Sequence, residues 1–462
     1  MKILVIGGGG REHAIVWKLK QCRNIEKIFC APGNPGIAQH ATCVDLKLDN
    51  IKGLGDFAYR NKIGLTVVGP ETPLAAGIVD EFTRRKMKIF GPDRKGAQLE
   101  SSKVFAKQFM RKYNIPTAPF RVYSSYAEAM GFCKAIEYPA VIKADGLAAG
   151  KGAVVVRSLA EAEATIDQFM VKRTLGIAGS KIVIESFLPG LEVSLMAITD
   201  GKVVLPLLPS QDHKQLFDGD RGPNTGGMGA YCPTPFTSQE LLDDIHEHVL
   251  LPTLKGLQQE GINYKGVIYA GLMLTSYGPK VLEFNCRFGD PETQAVLPLL
   301  KTDFLEVLQA TVNQKLSGIQ RLEWKPGASA CVVMASKGYP GKYNTGVQIN
   351  GLANQYENGC HVFHAGTANR GGKLVTNGGR VLGVMASDKD LPAAINRAYK
   401  LVQRIRFDGA TFRKDIGAKA REAVPALVES SVSSIMLPPI APKVDTLAPP
   451  IEDSSGDHLE DR

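Results

Sequence analysis

Residues 143–156 read KADGLAAGKGAVVV, a glycine-rich loop with a strand-like run on each side, PAVIKA before it and AVVVR after it. Strand, glycine loop and strand in immediate succession specify a hairpin. They exclude the strand–loop–helix unit in which Gly-Lys pairs commonly hold phosphate. That motif needs G-x-x-x-x-G-K-[ST] and a following helix; here Gly150-Lys151 is followed by Gly152, Asp145 stands where the first glycine belongs, and AVVV is a strand run. A glycine-rich hairpin still lets backbone N–H groups approach an anion closely, because glycine has no Cβ. Lys143 and Lys151 would add charge to such a flap.

A second segment, KVLEFNCRFGDPE at 280–292, shows which ligand the flap suits. Successive strand side chains alternate faces, so Glu283, Asn285 and Arg287 share one side, while Leu282, Phe284, Cys286 and Phe288 are expected in the core. A carboxylate and an amide oxygen two residues apart are hard oxygen donors that suit Mg²⁺ bridged to nucleotide phosphates. Arg287 beside them suits bidentate capture of an anionic group.

The first ~100 residues alternate apolar strands (KILVIG, KIFCA, LTVVGP, KIFG) with helical patterns (REHAIVWKLKQC, AAGIVDEFTRRK), which predicts a parallel doubly wound sheet. Its first turn, GGGGREHA, departs from the dinucleotide fingerprint. Started at Gly7 or Gly8, the last glycine position holds Glu12 or His13. A helix, SSKVFAKQFMRKY, leads through NIPTAPF into a second unit that continues to about 315. A third unit opens at WKPGASACVVMAS and closes with the helix PAAINRAYKLVQRI. After Arg421 the periodicity collapses into Pro, Ser and acidic residues, which reads as a disordered tail with one apolar patch at Ile435–Leu437. Removing 426–462 is expected to leave catalysis intact.

The net charge is +9, although Arg421–Arg462 carries three basic against eight acidic residues, so the excess sits on the folded body. Basic pairs such as Arg84–Arg85 are too short for a nucleic-acid stripe, which favours small anionic ligands. Eight scattered cysteines without a C-x-x-C pair read as reduced thiols, and the histidine pairs His246/His248 and His361/His364 read as packed or surface residues. No apolar run reaches the ~18 residues of a membrane span, and the N-terminal run is too short for a signal, so a cytoplasmic protein is expected.

A strand lysine, a glycine flap, the ESFL hinge at 185–188 and the E-x-N strand together resemble the ATP-grasp ligase fold. The longer set GGGGREHA, GPETPLAAG, KADGLAAGKG, QDHKQLFDGDRGPNTGGMGA and RFGDPET is similar to the glycinamide ribonucleotide synthetases (phosphoribosylamine–glycine ligases), from Met1 to about Lys419. The tail after Arg421 departs from that family's single-function form. The resemblance implies an α/β chain of four parts: an N-terminal doubly wound domain at 1–102, an ATP-grasp domain at 103–318 with a mobile lid at about 120–190, a small α+β domain at 319–421, and the tail at 422–462. It implies ligation of glycine to 5-phospho-β-D-ribosylamine with ATP, through a glycyl phosphate, in the second step of purine synthesis. No enzyme nucleophile is needed, so catalysis would be positioning and charge neutralisation.

By the family pattern, Lys103 and Lys143 would contact the ATP phosphates, with Gly150, Lys151 and Gly152 closing over them. Glu185 and Leu188 would meet the adenine, partly through backbone groups, and Glu192 the ribose. Glu283 and Asn285 would hold Mg²⁺, replaceable by Mn²⁺. Gly9, Arg11 and Glu71 would face the phosphoribosylamine, with Arg287, Asp212 and the turn Gly226–Gly227 completing the acceptor and glycine sites. Either Asp212 or Asp290 would bind the glycine ammonium, and the sequence does not choose between them. The partners implied are small molecules, without nucleic acid or membrane, on a monomer. Biotin carboxylases and formate-using transformylases would share the grip on ATP but not RFGDPET or QDHKQLFDGDRGPNTGGMGA.

Overall fold

The computed structural model describes residues 1–148, 152–353 and 355–423, with side chains to 420. Gly150, Lys151 and the tail from 424 onward therefore lie outside the described residues.

The N-terminal apolar runs form one parallel sheet in the order Thr42–Cys43, Lys27–Pro32, Lys2–Gly7, Leu65–Val68, Ile89–Phe90. The chain leaves Lys2–Gly7 toward one edge and Leu65–Val68 toward the other. The carboxyl ends of these two neighbours thus form a switch point, where doubly wound sheets open a ligand crevice. The pattern AAGIVDEFTRRK, expected as one helix, is interrupted: Glu71–Ala75 and Ile78–Arg84 are separated by Gly77 at φ +88°. Glycine adopts this left-handed conformation without a Cβ clash, and it turns the chain between the two helices.

Two antiparallel sheets follow. The lid sheet runs Phe120–Tyr123, Ile182–Ser186, Ala140–Ala144, Ala153–Val156, so the opening glycine loop does connect a hairpin. The central sheet runs Val204–Pro206, Leu191–Thr199, Gly266–Thr275, Gly278–Asn285. Apolar packing explains why these behave differently. Leu4, Ile6 and Phe82 of the N-terminal unit share one continuous core with Phe109, Leu195, Ile268 and Phe284 of the central unit. The lid instead buries its own cluster, including Met130, Ile142, Ile166 and Ile184. A unit with a private core can tilt as a body without opening the core beneath it.

The last large sheet runs Gln211–Asp212, Gly229–Cys232, Ala328–Ala335, Arg380–Asp388, Cys360–His364. Its first two strands come from the middle of the chain, so the segment QDHKQLFDGDRGPNTGGMGA is built into the C-terminal layer. All eight cysteines are unpaired.

Candidate active site

Lys103 is the first residue of helix Lys103–Lys112. Ser102 caps that helix by accepting the Phe105 N–H at 3.0 Å and donates to Asp145 Oδ1 at 2.8 Å; Asp145 also accepts the Val104 N–H at 3.1 Å. The base of the glycine flap is thereby pinned to a helix N-terminus, where a carboxylate is favourable. From this position Lys103 Nζ reaches Glu283 Oε2 at 3.1 Å.

Strand Gly278–Asn285 contains a bulge. Its register steps from Gly271↔Glu283 to Leu272↔Val281, leaving Leu282 as the extra residue. This corrects the alternation expected at one position: Val281 is fully buried in place of Leu282, which is half-buried. The bulge frees the Leu282 carbonyl, which accepts Lys143 Nζ at 2.8 Å. Beyond it the alternation resumes, with Phe284, Cys286 and Phe288 in the core.

Lys143 and Lys107 both ion-pair with Glu185, and all three side chains are buried. Burial opposes ionisation of Glu185, but Lys143 and Lys107 outweigh it and hold its carboxyl below the usual range. Burial, and then the like charge of Lys143, pull Lys107 down to about 8. The Glu185 carboxylate is thus committed to two lysines. Leu188 lies half-buried in the connection after Ser186 and makes no polar contact with the triad.

Glu192 pairs with Lys214 Nζ at 3.1 Å. Lys214 resists the burial that disfavours its charge because Glu192, Glu283 and Asp212 surround it, and its pKa lies above the usual lysine range. Lys103 first, against the opposition of burial, and then Lys214 and Lys143 hold Glu283 well below the usual carboxylate range. Glu283 therefore stays ionised, as a cation ligand must.

Arg287 joins this end of the site to the switch point. Its guanidinium lies 2.8 Å from Glu100 Oε1, 3.3 Å from Glu71 Oε2 and 3.2 Å from Asn285 Oδ1. At the switch point Glu12 accepts the Gly9 N–H at 2.7 Å and Arg11 Nε at 2.5 Å, while Arg11 Nη1 reaches the Phe288 carbonyl at 3.2 Å. Asp290 lies against the same turn: a Cβ added to Gly9 would stand 3.7 Å from Asp290 Oδ2. Burial disfavours the Asp290 charge, but Arg380 and Arg11 hold its carboxyl below the usual range. Arg380 Nη1 also holds the carbonyls of Gly226 at 2.5 Å and Asp290 at 2.7 Å.

Gly227 stands at φ +109°, where an added Cβ would fall 2.7 Å from Asp212 Oδ1 and 2.4 Å from Pro291 Cδ. Burial, and then the carboxylate of Glu292, push Asp212 well above the usual range. Glu292 is held by the hydroxyls of Ser194 at 3.1 Å and Tyr269 at 2.5 Å. The two candidate aspartates therefore differ: Asp290 is held ionised by arginines, whereas Asp212 shares a buried acidic pocket.

The candidates thus fall into two connected groups, one around Lys103, Lys143 and Glu283, the other around Gly9, Arg11, Glu71 and Asp290, with Arg287 between them. Sequence reasoning missed Lys107, Glu100, Arg380, Ser194 and Tyr269, which sit in ordinary helical or strand patterns. Lys214 and Glu292 lay inside the motifs QDHKQ and DPET, and only their position in those motifs could have marked them.

Lysines from a lid sheet and from a helix, closed over an acid–amide strand of a central antiparallel sheet, define an ATP-grasp enzyme. Comparison with known proteins places it further. Models of the phosphoribosylglycinamide synthetase N domain, ATP-grasp (A) domain and C domain match residues 1–100, 101–293 and 329–419. The chain is 52% identical over 418 residues to the phosphoribosylamine–glycine ligase of Caldanaerobacter subterraneus, covering 90% of this chain and 100% of the relative. The crystal structure of a phosphoribosylamine–glycine ligase from Thermotoga maritima superposes with TM-score 0.78 at 34% identity, over 90% of this chain and all of that one. A biotin carboxylase domain from Hydrogenobacter thermophilus shares the fold alone, at 16% identity and TM-score 0.70 over 92% of this chain and 97% of that one. The chain belongs to the phosphoribosylglycinamide synthetase family.

Proposed function

We infer that this chain joins glycine to 5-phospho-β-D-ribosylamine, with ATP cleaved to ADP and phosphate, as the second step of purine synthesis. The observation that carries this reading is the pair of adjoining sites bridged by Arg287. One is cationic around an ionised Glu283, and the other is built of Gly9, Arg11 and Glu71 at a sheet switch point. A nucleotide tail and a sugar phosphate would occupy them side by side.

In the proposed reaction a glycine carboxylate oxygen attacks the γ-phosphorus, ADP leaves, and the ribosylamine nitrogen then displaces phosphate from the acyl carbon. Lys103 and Lys143 neutralise the transferring phosphoryl group. The flap that ends at Gly152 covers it. Leu188 and the backbone near Glu185 receive the adenine, since the Glu185 carboxylate is engaged, and Glu192 receives the ribose. Gly9, Arg11 and Glu71 hold the phosphoribosylamine. The turn Gly226–Gly227 and Asp212 border the glycine, whose ammonium goes to Asp290, the carboxylate held ionised.

Glu283 and Asn285 suit a divalent cation: both are oxygen donors on one face, and Glu283 is charged across the working range. Mg²⁺ there, or Mn²⁺ in its place, would neutralise charge on the β- and γ-phosphates. The proposed units are 1–102, 103–318 and 319–421, on a cytoplasmic monomer. No helix of the described residues is long and apolar enough to cross a membrane.

The test is ADP release measured with each substrate omitted in turn. Release should require glycine and phosphoribosylamine together; release sustained by bicarbonate or formate instead would overturn the assignment.

A further inference from the structure

Outside the ligase site, three histidines from distant parts of the chain meet. His13 lies on helix Gly10–Leu19, His40 follows the short turn Ile37–Gln39, and His361 lies on strand Cys360–His364 of the C-terminal sheet. One ring nitrogen of each lies within 4.8 Å of the other two. The ring centroids are 5.4 Å apart for His13 and His361, 5.8 Å for His13 and His40, and 5.9 Å for His40 and His361. The Nε2 atoms of all three are shielded from solvent and have no hydrogen-bond partner among the described residues. Three buried ring nitrogens without a partner, on imidazoles this close together, call for one, because an unpaired buried polar atom is costly.

We propose that His13, His40 and His361 form a binding site for a first-row transition-metal ion of the Zn²⁺ or Co²⁺ class, distinct from the Mg²⁺ site of the ligase.

Imidazole nitrogens suit these ions and not Mg²⁺, which prefers oxygen donors. Three nitrogens with an open fourth position, filled by water, are a familiar tetrahedral set. A zinc–nitrogen bond of about 2.0–2.1 Å brings ligand nitrogens to roughly 3.4 Å from one another, so the cluster, whose nitrogens lie within 4.8 Å, contracts by up to about 1.4 Å on loading. His40 allows this, being half-exposed at the end of a surface turn. Trp17, Tyr356 and Phe363 pack tilted or edge-on against His361, giving the site an apolar wall. Burial keeps His13, His40 and His361 uncharged at neutral pH, with neighbouring imidazoles adding to it at His13 and His361 and Lys20 at His40, so His40 and His361 can each offer a lone pair.

One hydrogen bond resists loading. His13 Nδ1 accepts the His364 N–H at 2.8 Å, which keeps the proton of the neutral ring on Nε2. When a metal takes Nε2, that proton moves to Nδ1 and the His364 amide loses its acceptor. The site is therefore dissociable rather than permanently filled. A bound ion would staple the first helix and the Ile37–Gln39 turn of the N-terminal unit to the C-terminal sheet and stabilise the native state by mass action.

The experiment titrates chelator-treated full-length protein with Co²⁺ alone and follows visible absorption, then displaces it with Zn²⁺. The parent should take one Co²⁺ per chain with the d–d bands of a nitrogen–oxygen tetrahedral site and no thiolate charge-transfer band, and saturating Zn²⁺ should raise the Tm. His40→Ala/His361→Ala should abolish both effects while leaving Mg²⁺-dependent ligase turnover unchanged. His40→Gln alone, on the exposed side, should weaken Co²⁺ at least tenfold, and it keeps the test decisive if the double variant fails to fold. A thiolate band, no band at all, or the same titration in His40→Gln would overturn the proposal; a buried water would then satisfy the three nitrogens.

Discussion

Replacing Glu185 with Gln keeps the shape of the lid–helix contact and removes the one negative charge between Lys107 and Lys143. Side-chain exposure is 3% for Lys107, 6% for Lys143 and 3% for Glu185, so little solvent is available to screen the two ammonium groups left behind. Breaking a buried ion pair by removing one partner costs ~3–5 kcal/mol. The Lys107 share is capped, however. Its pKa is already about 8, against ~10.4 for an exposed lysine. If the substitution lowers it below 7, the proton leaves, and the added loss at pH 7 is limited to about one pKa unit, ~1.4 kcal/mol. Lys143 sets the remainder, so the total at pH 7 should lie near the lower end, about 3 kcal/mol. At pH 9 Lys107 is already largely neutral in the native protein, and Glu185 then serves Lys143 alone. The difference between parent and variant should therefore shrink by roughly 1 kcal/mol from pH 7 to pH 9. The sign follows from a native-state lysine pKa below its unfolded value: the unfolded chain binds more protons between about 8 and 10.4, so this group favours folding increasingly as pH rises through that window. Urea unfolding of both proteins at the two pH values measures the effect. Curves that coincide at both pH values, or a gap that widens at pH 9, would refute the charged-triad account.

Three other outcomes follow from the same geometry. Glu283→Ala should fold normally by circular dichroism but lose at least ~100-fold in Mg²⁺-dependent ADP release; activity retained at saturating Mg²⁺ would remove Glu283 from the metal site. Gly227→Ala places a Cβ at φ +109° against Pro291 and Asp212, so it should lower stability by about 1–3 kcal/mol and raise the KM for glycine, which thermal melts and initial rates would show. Asp212→Asn should do the opposite to stability. Burial and Glu292 raise the native pKa of this carboxyl, so its contribution is complete below the unfolded value near 4 and is lost as pH rises. The amide avoids that loss and should gain about 1–2 kcal/mol at pH 7.5 while turnover falls; equal melting temperatures would count against the buried acidic pair.

Much of the architecture was legible because it rests on local periodicity. Strand–helix alternation over residues 2–91 gave the doubly wound sheet, whose two central strands, Lys2–Gly7 and Leu65–Val68, are apolar runs buried on both faces. A glycine loop between two strand runs gave the lid hairpin, and period-two alternation put Glu283, Asn285 and Arg287 on one face. Leu282 escaped that reasoning because a bulge depends on the partner strand's register, which no single-strand pattern records. The helix break at Gly77 escaped it for a related reason: glycine is tolerated within a helix, and only the packing around it shows which conformation it takes.

Residue order alone thus determined which side chains each strand or helix presents, because a period of two or 3.6 is a property of the backbone. It did not determine which distant side chains share a charge. Glu185 between Lys107 and Lys143, Lys214 among three acids, Arg287 between Glu71 and Glu100, and three histidines up to 348 residues apart all arise from chain closure. Coulomb energy and burial act through space, and only the folded chain sets those distances.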